Sequence, residues 1–125
     1  MYEYKAKLLR IVDGDTVDVL IDVGFSTFKK ERVRLYGINT PECRTRNLEE
    51  KKRGLAAKDR LEEIIASFGE NFLIKTQIDK KGKYGRILGE IFSLDKSSNA
   101  NQMLLSEGHA VEYFGGKKWL AFLKN

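Results

Sequence analysis

Cysteine, proline and histidine each occur only once in this chain of 125 residues. A lone cysteine, Cys43, excludes an internal disulfide and reads as a loop or core residue. The lone histidine, His109, has no second histidine or cysteine near it in sequence, which leaves little support for a zinc site or a Cys–His dyad. No apolar run approaches the roughly 18 residues of a membrane span. The opening stretch, MYEYKAKLLRIVDGD, has no apolar core with a small-residue cleavage site behind it, so no signal peptide is read. The expectation is a cytoplasmic protein with no membrane association, monomeric at this size. No repeat, low-complexity tract or long linker interrupts the chain, and residues 1–125 are expected to form a single domain.

What is present is a soluble composition, 42% hydrophobic and 33% charged, with a formal net charge of +5. A basic surface draws polyanions, of which nucleic acid is the commonest. Many small basic domains bind nothing anionic, so charge alone leaves both readings open.

The hydrophobic pattern supplies the elements. TVDVLIDV, 16–23, alternates with Val17, Val19, Ile21 and Val23 on one face, which predicts a half-buried strand. YEYKAKLLRIV before it alternates but slips phase at Leu8–Leu9, which predicts a bulge. Asp13-Gly14 between them is a hairpin signal. A third strand is expected over about 30–38, with Val33 and Leu35 inward and Arg32, Arg34 and Tyr36 on the opposite face. Ala57, Leu61, Ile64, Ile65 and Phe68 share a helical face that Gly69 ends. NFLIKTQI and RILGEIF read as strands four and five. SSNANQMLLSEG reads as a short helix capped by Ser or Asn and stopped by Gly108. Trp119, Phe122 and Leu123 lie at helical spacing in the tail and are expected to dock on the body. The order predicts a mainly β, α+β fold: a five-stranded antiparallel barrel with two to three packed helices.

Polar residues collect where strands end. Asp15 starts strand two, Arg34 lies opposite the apolar face of strand three, and Asn39, Thr40 and Glu42 follow that strand. Arg86 starts strand five after the basic loop DKKGKYG. Carboxylate and carbonyl oxygens suit Ca²⁺ or Mg²⁺. Arginine forks match phosphate oxygens, and a free carboxylate can activate water. Together these are the parts for metal-assisted phosphodiester hydrolysis. The plainer reading stands beside it: Asp15 as a turn residue, Arg34 as an exposed strand charge paired with Asp18 or Glu31, Pro41 as a strand stop. Likewise Arg44, Arg46, Lys51, Lys52 and Arg53 read either as a solvated run or as a surface that follows phosphates. Tyr2, Tyr4 and Trp119 read as packing residues, and His109 as structural.

VDGDTV (12–17), RLYGINTPE (34–42), KYGRILGEI (83–91) and NQMLLSEGHA (101–110), in this order and with GLAAKDRLEEII (54–65) between them, resemble the successive motifs of the staphylococcal nuclease (thermonuclease) family. The resemblance implies a five-stranded OB-type barrel with helices. It implies a Ca²⁺-dependent endonuclease that cleaves DNA and RNA and leaves the phosphate on the 3′ side. It also implies roles for residues. Asp15, Asn39 and Thr40 fall on metal-binding positions, with the Thr40 backbone carbonyl as its donor. Glu42 falls on the residue that positions or deprotonates water, and Arg34 and Arg86 on the arginines that hold the scissile phosphate. Lys83, Tyr84 and Tyr113 fall on substrate contacts, and Asp13 resembles an outer acid near the metal.

The chain departs from that pattern at Asn39, where the family usually has aspartate. An amide keeps an oxygen for the metal but removes a charge, and Ca²⁺ affinity tracks ligand charge. Weaker metal binding or a changed preference, Mg²⁺ included, is therefore expected. The loop before KYGR and the last helix are shorter than in well-known members, and the missing signal peptide points to intracellular nucleic acid. Two other functions compete with the enzyme: a nucleic-acid-binding module with catalysis weakened through Asn39, and a protein-binding adaptor on the same barrel.

Overall fold

In the computed structural model, residues 2–79 and 86–114 are described. Strands β1 (Tyr2–Asp13), β2 (Thr16–Asp22) and β3 (Phe28–Leu35) come first. They are followed by β4 (Ile38–Asn39), helix α1 (Leu48–Phe68), β5 (Phe72–Asp79) and β6 (Arg86–Phe92). Helix α2 (Ala100–Ser106) and β7 (Val111–Glu112) complete the described elements. The order around the closed barrel is β1-β2-β3-β6-β5, while β4 and β7 form a separate two-stranded sheet.

Alternation does what the sequence requires of it. Val17, Val19 and Val33 point into the barrel and are fully buried with Phe72, Ile74 and Ile91. Each such side chain contributes on the order of 1.5–3 kcal/mol on leaving water. The expected bulge is present: β1 slips against β2 between Leu8 and Arg10, and again between Ile11 and Asp13. These slips bend β1 so that residues 2–6 pair with β5 while residues 6–13 pair with β2.

One expectation is corrected. The barrel is not wholly antiparallel, because β3 and β6 pair in parallel, Val33 opposite Ile87 and Leu35 opposite Gly89. The cause is parity. Strand directions cannot alternate around a closed ring of odd number, so five strands must contain a parallel neighbour pair.

The Asn47 side chain accepts the Glu50 N–H and opens α1, a cap worth about 1 kcal/mol. Its Ala57, Leu61, Ile64 and Ile65 are buried as the spacing predicts. α1 packs chiefly on β1, and α2 on β6 and α1. Asn99 caps α2 by accepting from the Gln102 N–H, and Gly108 turns the chain away at a φ of 80°. The expected docking of Trp119, Phe122 and Leu123 lies outside the described residues. No helix among those described is long and apolar enough to cross a membrane.

Candidate active site

Asp15 sits one position off its expected place. It belongs to the two-residue turn Gly14-Asp15 between β1 and β2, since Asp13 pairs with Thr16. The turn lies under α1 because residue 14 is glycine. A Cβ there would come 2.8 Å from the Ala57 Cβ and 2.8 Å from the Thr40 Oγ1, closer than packed carbon and oxygen atoms tolerate. The Asp15 carbonyl accepts the Leu35 N–H at 2.8 Å, which ties the turn to the end of β3.

The Asp15 carboxylate is only 2% exposed. Oδ1 accepts from the Thr16 hydroxyl at 3.1 Å, and Oδ2 from the Thr40 N–H at 3.0 Å. Arg34 Nη1 stands 3.5 Å from Oδ2. So buried a carboxylate needs these donors, because an unpaired buried charge costs several kcal/mol.

Arg34 is not the exposed strand charge of the plainer reading. That role belongs to Arg32, whose Nε and Nη2 donate to Asp18 at 2.8 and 3.2 Å. The side chain of Arg34 is 14% exposed. Nη1 donates to the carbonyls of Asp15 and Leu35, and Nη2 to Asn39 Oδ1. Burial pushes its pKa down, Asp15 opposes the shift, and Arg86, Tyr113 and Glu42 also act on it. Arg34, Glu42, Arg86, Tyr113 and Asp15 therefore share one electrostatic neighbourhood. Glu42 and Arg86 are exposed, while the Tyr113 ring centre lies 5.8 Å from the Arg34 guanidinium carbon.

Asn39 and Thr40 are fully buried. Gly37, at a φ of 80°, ends β3 early and sends the chain back as β4, which pairs with β7 through Ile38–Glu112 and Asn39–Val111. The Tyr113 N–H donates to the Gly37 carbonyl at 2.9 Å. This small sheet brings Asn39, and Tyr113 just past its end, to Arg34. Neither two-residue strand is legible in the sequence, since two residues carry no periodicity. Lys83 and Tyr84 lie outside the described residues.

Three supporting residues are given no part in the site by the sequence pattern. Asn101, 1% exposed, donates from Nδ2 to the Tyr36 and Gly89 carbonyls and accepts the Ile91 N–H. It joins α2 to β6 and to the end of β3. Its signal is a polar residue between the buried Ala100 and Leu104 on one helix. Gly54 lets α1 touch the loop that carries Glu42: a Cβ would stand 2.5 Å from the Glu42 carbonyl oxygen. Cys43 is buried, and its thiol donates to Asp13 Oδ1 at 2.6 Å. Burial, and then that carboxylate, push the thiol pKa up, so the residue is an inert anchor rather than a nucleophile.

A buried arginine, carboxylate and amide in mutual contact are costly to stability, and such clusters are common at functional sites. The family profile described as "Staphylococcal nuclease homologue" matches residues 32–120, more than half of the chain. The chain belongs to the staphylococcal nuclease family. Curated relatives agree. It is 28% identical over 117 residues to "Endonuclease YhcR" of Bacillus subtilis, covering 90% of this chain and 9% of that protein. It is 28% identical over 120 residues to "Micrococcal nuclease" of Shigella flexneri, covering 89% and 59%. It is 34% identical over 101 residues to "Endonuclease YncB" of Bacillus subtilis, covering 81% and 44%. The chain thus spans less than two thirds of the length of each of these relatives.

Members of a nuclease family invite the question whether these residues suit a divalent cation. Among the described residues no three His, Cys, Asp or Glu side chains cluster for a metal. Asp15 Oδ2 and Asn39 Oδ1 nevertheless both face the same cationic group, the Arg34 guanidinium. Carboxylate and amide oxygens are the donor types a hard cation takes. Asn39 Nδ2 and Thr40 Oγ1 are buried with no hydrogen-bond partner among the described residues. The donor types fit, with one carboxylate charge.

Proposed function

We propose that this chain is a metal-dependent nuclease domain spanning residues 1–125 that hydrolyses phosphodiester bonds of DNA or RNA. The observation that carries the reading is the buried Arg34 guanidinium, set between Asp15 and Asn39 and within the field of Glu42 and Arg86. Of its five N–H donors, three are engaged by described residues; among the described residues Nε–H and one Nη2–H have no acceptor and are the donors offered to a phosphate. Arg34 grips the scissile phosphate from the buried side and Arg86 from the exposed side. Both are positioned before charge builds on the phosphate oxygens, so they favour the transition state over the ground state. Glu42, outside the buried cluster and open to water, takes the proton of the attacking water. Water oxygen bonds to phosphorus, one P–O ester bond breaks, and the leaving oxygen takes a proton from solvent. Tyr113 packs beside the bound phosphate, with Lys83 and Tyr84 as further substrate contacts. Asp15, Asn39 and the Thr40 carbonyl would hold the cation, with Ca²⁺ or Mg²⁺ as the candidates. A bound cation supplies neutralisation of phosphate charge and polarisation of water.

The test is incubation of purified protein with single-stranded DNA, duplex DNA and RNA in Ca²⁺, Mg²⁺ or chelator. Cleavage that chelator abolishes, and that Glu42→Gln slows by roughly 10²–10⁴-fold, is expected. Salt-sensitive binding with no products under any metal would instead make the chain a nucleic-acid-binding module, the reading that Asn39 favours.

A further inference from the structure

The hairpin that joins β2 to β3 is built against local preference. The Thr27 N–H donates to the Gly24 carbonyl at 2.9 Å and closes a tight turn. Its two central residues, Phe25 and Ser26, both have positive φ, 54° and 58°. Asparagine and glycine are the residues suited to such a turn. A bulky aromatic there is disfavoured by its backbone, and Phe25 has no compensating burial, being 103% exposed. Phe28, one step below the turn, is 51% exposed. Strain and exposure at one aromatic, with no packing to explain either, point to a partner.

The outer face of β3 runs from that tip to the candidate active site. Successive outward residues are Phe28, Lys30, Arg32 and Arg34, paired across β2 with Asp22, Leu20, Asp18 and Thr16. Arg10 of β1 lies beside them, opposite Asp18. Arg32, Arg10 and Lys30 all act on the single carboxylate of Asp18 and hold its pKa down, Arg32 through its hydrogen bonds. Arg10 and Lys30 are exposed and make no ion pair with a described residue. Asp18 and Asp22 set two carboxylates against Arg10, Lys30 and Arg32, which leaves a surplus positive charge on this face. The stretch from Phe28 to Arg34 spans about 20 Å, some six nucleotides at the stacked rise per strand.

We propose that this face is a track for single-stranded nucleic acid, with phosphates on Lys30 and Arg10 and bases stacked on Phe25 and Phe28, leading away from the phosphate at Arg34. It rests on the nuclease reading for its direction, since the track ends where cleavage is placed. Aromatic platforms beside a cationic groove are the usual means of holding single strands without sequence preference. A fully exposed aromatic on a strained turn fits stacking, because its ring is open on both faces.

The experiment compares a single-stranded DNA 12-mer with a trinucleotide, by fluorescence anisotropy in Ca²⁺ with Glu42→Gln as the background. The longer strand reaches the tip and the shorter does not. Phe25→Gly is expected to weaken 12-mer binding roughly five-fold or more and to leave the trinucleotide unchanged. The same variant should hold or raise Tm, because glycine relieves the turn. A residue with only a structural role would not show that combination. Lys30→Gln with Arg10→Gln should lower the slope of log K against log salt by about 0.7 for each charge removed. The proposal is overturned if Phe25→Gly and the charge variants leave 12-mer binding intact, or if wild-type binding does not grow with length. It is also overturned if Phe25 instead governs binding to phosphatidylserine vesicles while oligonucleotide affinity stays constant. Length-dependent binding with no cleavage at any length in the wild type would overturn the nuclease reading and leave the track standing.

Discussion

Arg34 and Asn39 are joined by a hydrogen bond at the buried end of the candidate site. The Asn39 oxygen accepts from Arg34 Nη2, which fixes the amide orientation and leaves Nδ2 buried with no partner among the described residues. An orphaned buried donor costs about 1–3 kcal/mol. Asn39→Asp removes that donor and adds a charge beside Asp15. Ca²⁺ affinity measured by calorimetry without nucleic acid is expected to tighten roughly ten-fold, about 1.4 kcal/mol. Unchanged affinity would remove Asn39 from the metal site. Arg34→Lys keeps the charge but loses the planar fork that reaches Asn39, Asp15 and Leu35 together. Turnover of single-stranded DNA in a steady-state assay is expected to slow by roughly 10²–10³-fold, the cost of one transition-state donor.

At the scale of elements, the candidate site is as accurate as the fit of α1 against the loop that follows β4. Gly54 is the contact. Its replacement by alanine would set a methyl 2.5 Å from the Glu42 carbonyl oxygen and 2.8 Å from the Cys43 nitrogen. Backbone cannot yield as a flexible side chain would, so helix and loop must separate. Gly54→Ala is expected to destabilise the fold by about 1–3 kcal/mol, the cost of overpacking, and to lower cleavage further by displacing Glu42. Chemical denaturation and a cleavage assay read the two effects separately. Stability lost with cleavage per folded molecule unchanged would show that Glu42 does not depend on this contact.

For the molecule as a whole, acid should loosen the barrel along a predictable path. Asp18 is held below its usual pKa by hydrogen bonds from Arg32, and Glu107 by those from Arg60. Hydrogen bonds from Ser97 and Ser93 take Asp95 down to about 2. Groups whose folded pKa is depressed stabilise the fold above their unfolded pKa and lose that contribution as pH falls through the folded one. Tm is therefore expected to hold at neutral pH and fall from about pH 4 toward 2. A Tm flat across that window would show that these ion pairs and hydrogen bonds contribute nothing. The charge balance of +5 acts on the same scale: nucleic-acid affinity should weaken linearly in log salt.

Much of this was legible in the amino-acid sequence. Alternation placed Val17, Val19 and Val33 in the barrel, the phase slip at Leu8–Leu9 located a bulge, and the spacing of Ala57, Leu61 and Ile64 marked the buried face of α1. These patterns repeat over many residues, so burial imposes them on the chain locally. The candidate site residues have no such period; they were legible only as motifs, in order along the chain, that resemble those of the nuclease family. Only the tertiary structure decided what those residues touch. Alternation put Arg34 on the outward face, but the return of the chain at Gly37 folded β4 over it and buried it against Asn39. Parallel closure of β3 on β6 and the union of β4 with β7 depend on partners far away in the chain, and so does Asn101, whose hydrogen bonds reach Tyr36 across the fold. A short strand or a single buried amide has no period to betray it; its place is fixed by what the rest of the chain brings within hydrogen-bond reach.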